Sequence, residues 1–132
     1  MATPGVTLGD VMSAPVFTVE EGESLWDAWQ LLLLSGLRHI AVIDVDGAFI
    51  SILSDRMILA NAPLTAEALS SHTVGELLGA TASVRLAPDA SPVDAARLMS
   101  ERSLEAIAVL DSRSKLVGIV TETDLVRWLL AA

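Results

Sequence analysis

Apolar residues along the chain fall into short unbroken runs, set between stretches of helical character. Residues 40–43 (Ile-Ala-Val-Ile) and 49–53 (Phe-Ile-Ser-Ile-Leu) have strand length, as do 107–110 and 116–120. Near-continuous apolar strands imply burial on both faces, here beneath helices. Between the members of each pair stand Asp44-Val45-Asp46-Gly47 and Asp111-Ser112-Arg113-Ser114-Lys115, which read as hairpin connections. Helices are expected over 24–35 and 91–102. The second opens with Ser91 as N-cap and Pro92 at the first helical position. Each is preceded by a short strand (16–19; 83–86) and, before that, by a helical turn (8–12; 74–78). A last helix starts at Ser54 in one half and at Thr121 in the other.

The two halves are copies. Sliding the chain by 67 residues (91 minus 24) lays 24–59 on 91–126. The identities include Ser24/Ser91, Asp27/Asp94, Ala28/Ala95, Leu31/Leu98, Ile40/Ile107, Val42/Val109 and Asp44/Asp111. The openings also match, Thr7-Leu8-Gly9-Asp10 against Thr73-Val74-Gly75-Glu76, at an offset of 66 (73 minus 7). Each copy reads β-α-β-β-α. Two copies predict an α/β fold of pseudo-symmetric units packed through their sheets, not a solenoid. The expected boundaries are 1–62, a linker over 63–72 with a short helix over 66–69, and 73–132.

Composition narrows the function. The 132 residues are 52% hydrophobic but 4% aromatic, without Tyr, so the core is aliphatic. No Cys is present, which removes disulfides, thiolate metal sites and Cys nucleophiles and fits a reducing cytoplasm. Eight Lys and Arg against seventeen Asp and Glu give net −9, a charge that repels nucleic acid and anionic membranes. Apolar runs are far shorter than the roughly 18 residues of a membrane span, and the first residues lack the basic and apolar regions of a signal peptide.

Catalytic chemistry is scarce. His39 and His72 are the only histidines, and neither a nucleophile elbow, a P-loop nor a dinucleotide fingerprint occurs. Asp44-Val45-Asp46-Gly47 lacks the later ligands of a calcium loop. No enzyme, no metal site and no required cofactor are expected. The informative segment is Gly118-Ile119-Val120-Thr121-Glu122-Thr123-Asp124-Leu125. There a buried strand ends in Thr121, and Asp124 follows within the first turn of a helix. Thr121 and Asp124 can form a capping box. The same geometry presents a carboxylate able to accept both hydroxyls of a ribose, beside a hydroxyl and free helix N–H groups that meet an anion.

Tandem units containing His39-Ile40-Ala41-Val42-Ile43-Asp44 followed by Ser51-Ile52-Leu53-Ser54, and Ile107-Ala108-Val109-Leu110-Asp111 followed by Gly118-Ile119-Val120-Thr121-Glu122-Thr123-Asp124, resemble the CBS-domain family. The pair looks like a Bateman module, and the resemblance runs from Thr7 to about Leu130. It implies clefts between the repeats that bind adenosyl ligands (AMP, ADP, ATP or S-adenosylmethionine) and regulate a partner protein. Carried over by position, it implies that Thr121 and Asp124 hold the ribose, with Gly118 beside them. Ser83, Val84 and Ile107 would pack the adenine, and Arg38 and His39 would face phosphates. The first copy departs: Ser51 stands for Gly, Ser54 keeps the hydroxyl, and Met57 replaces Asp. A thioether is a poor acceptor for ribose hydroxyls, so one good site is expected.

Glu105 and Ala106 match Arg38 and His39 in the second copy and cannot neutralise phosphate. AMP, ADP or cationic S-adenosylmethionine therefore suit the chain better than free ATP, which would come with Mg²⁺. The alternative from another class is a structural dimerisation module that has lost ligand binding. The repeat also points to self-association. Leu33 and Leu34 stand where the second copy has Ser100 and Glu101, and Trp26 stands where it has Val93. A homodimer through Trp26, Leu33 and Leu34 is expected, as CBS pairs commonly form, unless the helix over 66–69 covers that stripe.

Overall fold

The computed structural model describes residues 5–78 and 84–131. The elements are α1 (Leu8–Val11), β1 (Thr18–Glu20), α2 (Leu25–Ser35), β2 (His39–Ile43), β3 (Phe49–Ser54), α3 (Asp55–Asn61), α4 (Ala66–Ser70), α5 (Val74–Leu78), β4 (Arg85–Leu86), α6 (Pro92–Arg102), β5 (Ala106–Leu110), β6 (Leu116–Thr121) and α7 (Glu122–Ala131). Helix starts are set by hydroxyls. The side chains of Ser24, Ser54 and Ser91 each accept the N–H three residues on, at 3.1 Å in every case.

Two three-stranded sheets form, in the orders β1-β2-β3 and β4-β5-β6. In each, the first strand runs parallel to the central one, as the intervening helix requires, and the last is its antiparallel hairpin partner. The copies agree in detail: the register shifts between Val42 and Ile43 and again between Val109 and Leu110. The carboxylates of Asp44 and Asp111 each accept two backbone N–H groups of their own turns, at 2.9 Å. That use of Asp44 is a turn, not a calcium site.

Most element ends lie within a residue of expectation, and the first strand of each copy differs by more. The first strand begins at Thr18, not residue 16, because pairing with Ala41 starts there. The described part of its counterpart is Arg85–Leu86.

The compact units do not follow the sequence copies. One consists of Phe17–Ser83; the other joins Met1–Val16 to Val84–Ala132. The lead-in helix of each copy therefore docks on the other copy. Leu8 N–H donates to Ala90 C=O at 2.8 Å and Gly9 N–H to Pro88 C=O at 2.9 Å. Val74 and Gly75 N–H donate in the same way to Glu23 and Glu21 C=O, both at 2.9 Å. Each unit has its own aliphatic core. Val19, Leu25, Leu32, Ile40, Leu53 and Leu69 centre one, and Leu8, Met99, Ile107, Val109, Val120 and Leu125 the other. Among the described residues, no helix is long and apolar enough to cross a membrane.

Candidate functional site

Where β6 runs into α7, the capping box forms. Thr121 N–H donates to Asp124 Oδ2 at 2.9 Å, and Asp124 N–H donates to Thr121 Oγ1 at 3.3 Å. The structure thus brings Thr121 and Asp124 together as their spacing requires. Asp124 is only 6% exposed, one of three buried polar residues, with Ser51 and Ser54, among the described residues. A buried carboxylate needs more than one partner, and a second donor and a nearby cation come from places the sequence does not advertise. Ser13 Oγ lies 3.0 Å from Asp124 Oδ1 and 3.2 Å from Oδ2. Arg127, one turn along α7, brings Nη1 to 3.7 Å from Oδ1, with most of its side chain in solvent.

Ser13 is held by a two-residue bridge on the edge of β6. Its N–H donates to Ile119 C=O at 2.8 Å, and its C=O accepts Ile119 N–H at 3.1 Å. Met12 then lies across Gly118. A Cβ at Gly118 would run into Met12 Sδ and come within 2.8 Å of its Cγ. A side chain at position 118 would therefore displace the Met12 side chain. Nothing in local periodicity marks Ser13, Met12 or Arg127 as part of this site.

The remaining expected residues divide. Val84 is half-buried and packs on the core around Ile107. Ile107 itself is completely buried in that core, so its side chain offers no surface to a ligand; only its backbone could do so. Ser83 lies outside the described residues. Arg38 and His39 belong to the other compact unit, at the corresponding β3–α3 junction. Arg38 Nε is 3.5 Å from Asp55 Oδ2, so this exposed guanidinium already has a carboxylate beside it. His39 lies opposite Ser54 in the sheet. Ser54 caps α3 through Met57 N–H, and the Met57 side chain packs against the core, where it offers no acceptor. Ser51, in place of glycine, is buried.

On α2, Leu33 and Leu34 are 63% and 87% exposed. Trp26 is not an open aromatic: it is half-buried and packs on its own unit's core. Helix α4 packs against α2 and buries Leu69, yet leaves both leucines in solvent.

Comparison with known proteins agrees with this architecture. The CBS-domain family model matches residues 8–63 and 74–131. A homoserine O-acetyltransferase of Methanococcoides burtonii is 28% identical over 121 residues, which cover 92% of this chain and 24% of that protein. The chain spans about a quarter of the length of the first curated relatives it matches. The crystal structure of CBSX2 in complex with AMP is 29% identical, covers 96% of this chain and 98% of its own, and superposes with a TM-score of 0.80. CBSX2 is also found among the curated relatives as a chloroplastic protein of Arabidopsis thaliana, 27% identical over 150 residues (93% of this chain, 63% of that one). The CBS domain pair of protein MJ0100, in complex with 5′-methylthioadenosine and S-adenosyl-L-methionine, has a TM-score of 0.82 at 22% identity, covers 97% of this chain and 98% of its own, and shows the fold alone.

Proposed function

The chain belongs to the CBS-domain family, and from that premise we propose that it is a regulatory module whose β6–α7 junction binds an adenosyl ligand and signals to another protein. The observation that carries this reading is Asp124: a buried carboxylate fixed beside the Thr121 hydroxyl, at the position where the family's motif holds a ribose. The AMP complex of CBSX2, similar over nearly the whole chain, supports the ligand class. Charge refines it. A chain of net −9 disfavours a polyanion, and Arg127 is the cation beside Asp124. AMP, ADP or S-adenosylmethionine fit better than free ATP, which would need Mg²⁺. Met57 in the first copy makes this the better of the two junctions.

Thermal shift against AMP, ADP, ATP, S-adenosylmethionine and NAD identifies the ligand, since saturation at 100 times Kd adds about 2.7 kcal/mol of stability. Charge-assisted hydrogen bonds contribute about 1.5–3 kcal/mol, so Asp124→Ala weakens binding by about tenfold or more in calorimetry, while Met57→Ala leaves it unchanged. Unchanged binding by folded Asp124→Ala would leave Thr121 and Asp124 as a helix cap alone, whereas no binding of any of these ligands favours the second reading, a structural dimerisation module that has lost ligand binding, for which Met57 is the supporting observation. In either reading the chain works in the cytoplasm as a homodimer through the α2 face bearing Leu33 and Leu34, with Trp26 at its edge.

A further inference from the structure

We propose that Ser13 is a positioning residue of the adenosyl site: its hydroxyl sets the Asp124 carboxylate so that the lone pairs left over meet a vicinal diol. This rests on the ligand reading above. Ser13 Oγ is nearly equidistant from the two carboxylate oxygens, at 3.0 and 3.2 Å, and its single proton serves one of them at a time. Thr121 N–H holds Oδ2 from the other side at 2.9 Å. A carboxylate offers about four lone-pair sites, and these donors use two. Two remain, the number that the 2′- and 3′-hydroxyls of a ribose require. Arg127, at 3.7 Å, is beyond hydrogen-bond length and mostly exposed, so it swings aside at little cost.

The donor is itself pre-set. Both backbone groups of Ser13 are clamped to Ile119, so the hydroxyl reaches Asp124, 111 residues away in sequence, from a fixed support. A second observation comes from comparing the copies. Asp124 corresponds to Met57, and the position corresponding to Ser13 is Gly79 in the register of the openings or Ala80 in that of the main repeat. Neither carries a hydroxyl. Donor and acceptor occur together at one junction, and the aligned positions of the other copy carry neither.

The test separates positioning from simple attachment of the N-terminal segment. Adenosine and 2′,3′-dideoxyadenosine are titrated into wild type, Ser13→Ala and Ser13→Thr. Ser13 is exposed and its backbone bridge survives either change, so both variants fold. Wild type prefers adenosine. Ser13→Ala loses about fivefold in adenosine affinity, the size of one hydrogen bond, and nothing for the dideoxy analogue, while Ser13→Thr restores the preference. Equal losses for both nucleosides, an undiminished preference for the diol in Ser13→Ala, or failure of Ser13→Thr to rescue overturns the positioning role and leaves the ligand reading standing. Absence of adenosine binding in wild type overturns the ligand reading, and this inference with it.

Discussion

Ser103 and Ser114 occupy left-handed backbone, with φ of 53° and 61°, where the first copy has Gly36 at 70° and Gly47 at 86°. One ends α6 and the other closes the β5–β6 turn, and a Cβ in that region costs about 1–2 kcal/mol. Glycine relieves the strain but has more freedom to lose on folding, which offsets part of the gain. Ser103→Gly and Ser114→Gly are each expected to raise stability by about 0.5 kcal/mol, read as a higher urea midpoint at constant slope. A lower midpoint for both would mean that the serines are not strained. At this scale the sequence is legible where partners are near. Thr121 and Asp124 meet as their spacing demands. The turn role of Asp111 is equally local: backbone N–H bonds from Lys115 and Arg113 hold its carboxyl below the usual range. Ser13 was not legible, because a hydrogen bond across 111 residues leaves no trace in periodicity.

The elements themselves were nearly all readable, since capping serines and apolar runs are local signals. Their grouping was not. Repeat alignment assigns α1 to the first copy by sequence, whereas its buried residue belongs to the core of the second. Leu8 is fully buried with Ile107, Val109, Val120 and Leu125. A similarity search along the chain detects which segments are copies, not which copy a segment packs on. Leu8→Ala therefore opens a cavity beneath β5 and β6 and costs about 2–5 kcal/mol. Hydrogen exchange should show protection falling over 106–121 by more than over 39–54. The opposite order, with β2 and β3 losing more, would place Leu8 in the energetics of its own copy and refute the exchange of lead-in helices.

Across the whole molecule, apolar surface is unevenly spent. The second copy's helix carries Ser100 and Glu101 into solvent, while the first carries Leu33 and Leu34 at equivalent positions, and α4 does not shield them. This contrast was visible in the sequence because the repeat supplies its own reference. The commitment of Trp26 to the core was not, since stripe position alone does not say how deep a helix sits. The structure adds a competing surface on α7, where Leu129 and Leu130 are also exposed. If α2 pairs with its copy in an isologous contact, Leu34→Glu puts carboxylates into an apolar interface, where an unpaired charge is not tolerated. Leu34 makes little contact within its own unit, so the fold survives and only assembly is lost. Light scattering at micromolar concentration should then give a dimer for wild type and a folded monomer for Leu34→Glu. The same measurement on Leu130→Glu should return the dimer. A monomeric wild type removes the α2 interface altogether, and dissociation by Leu130→Glu with Leu34→Glu still dimeric moves the contact to α7.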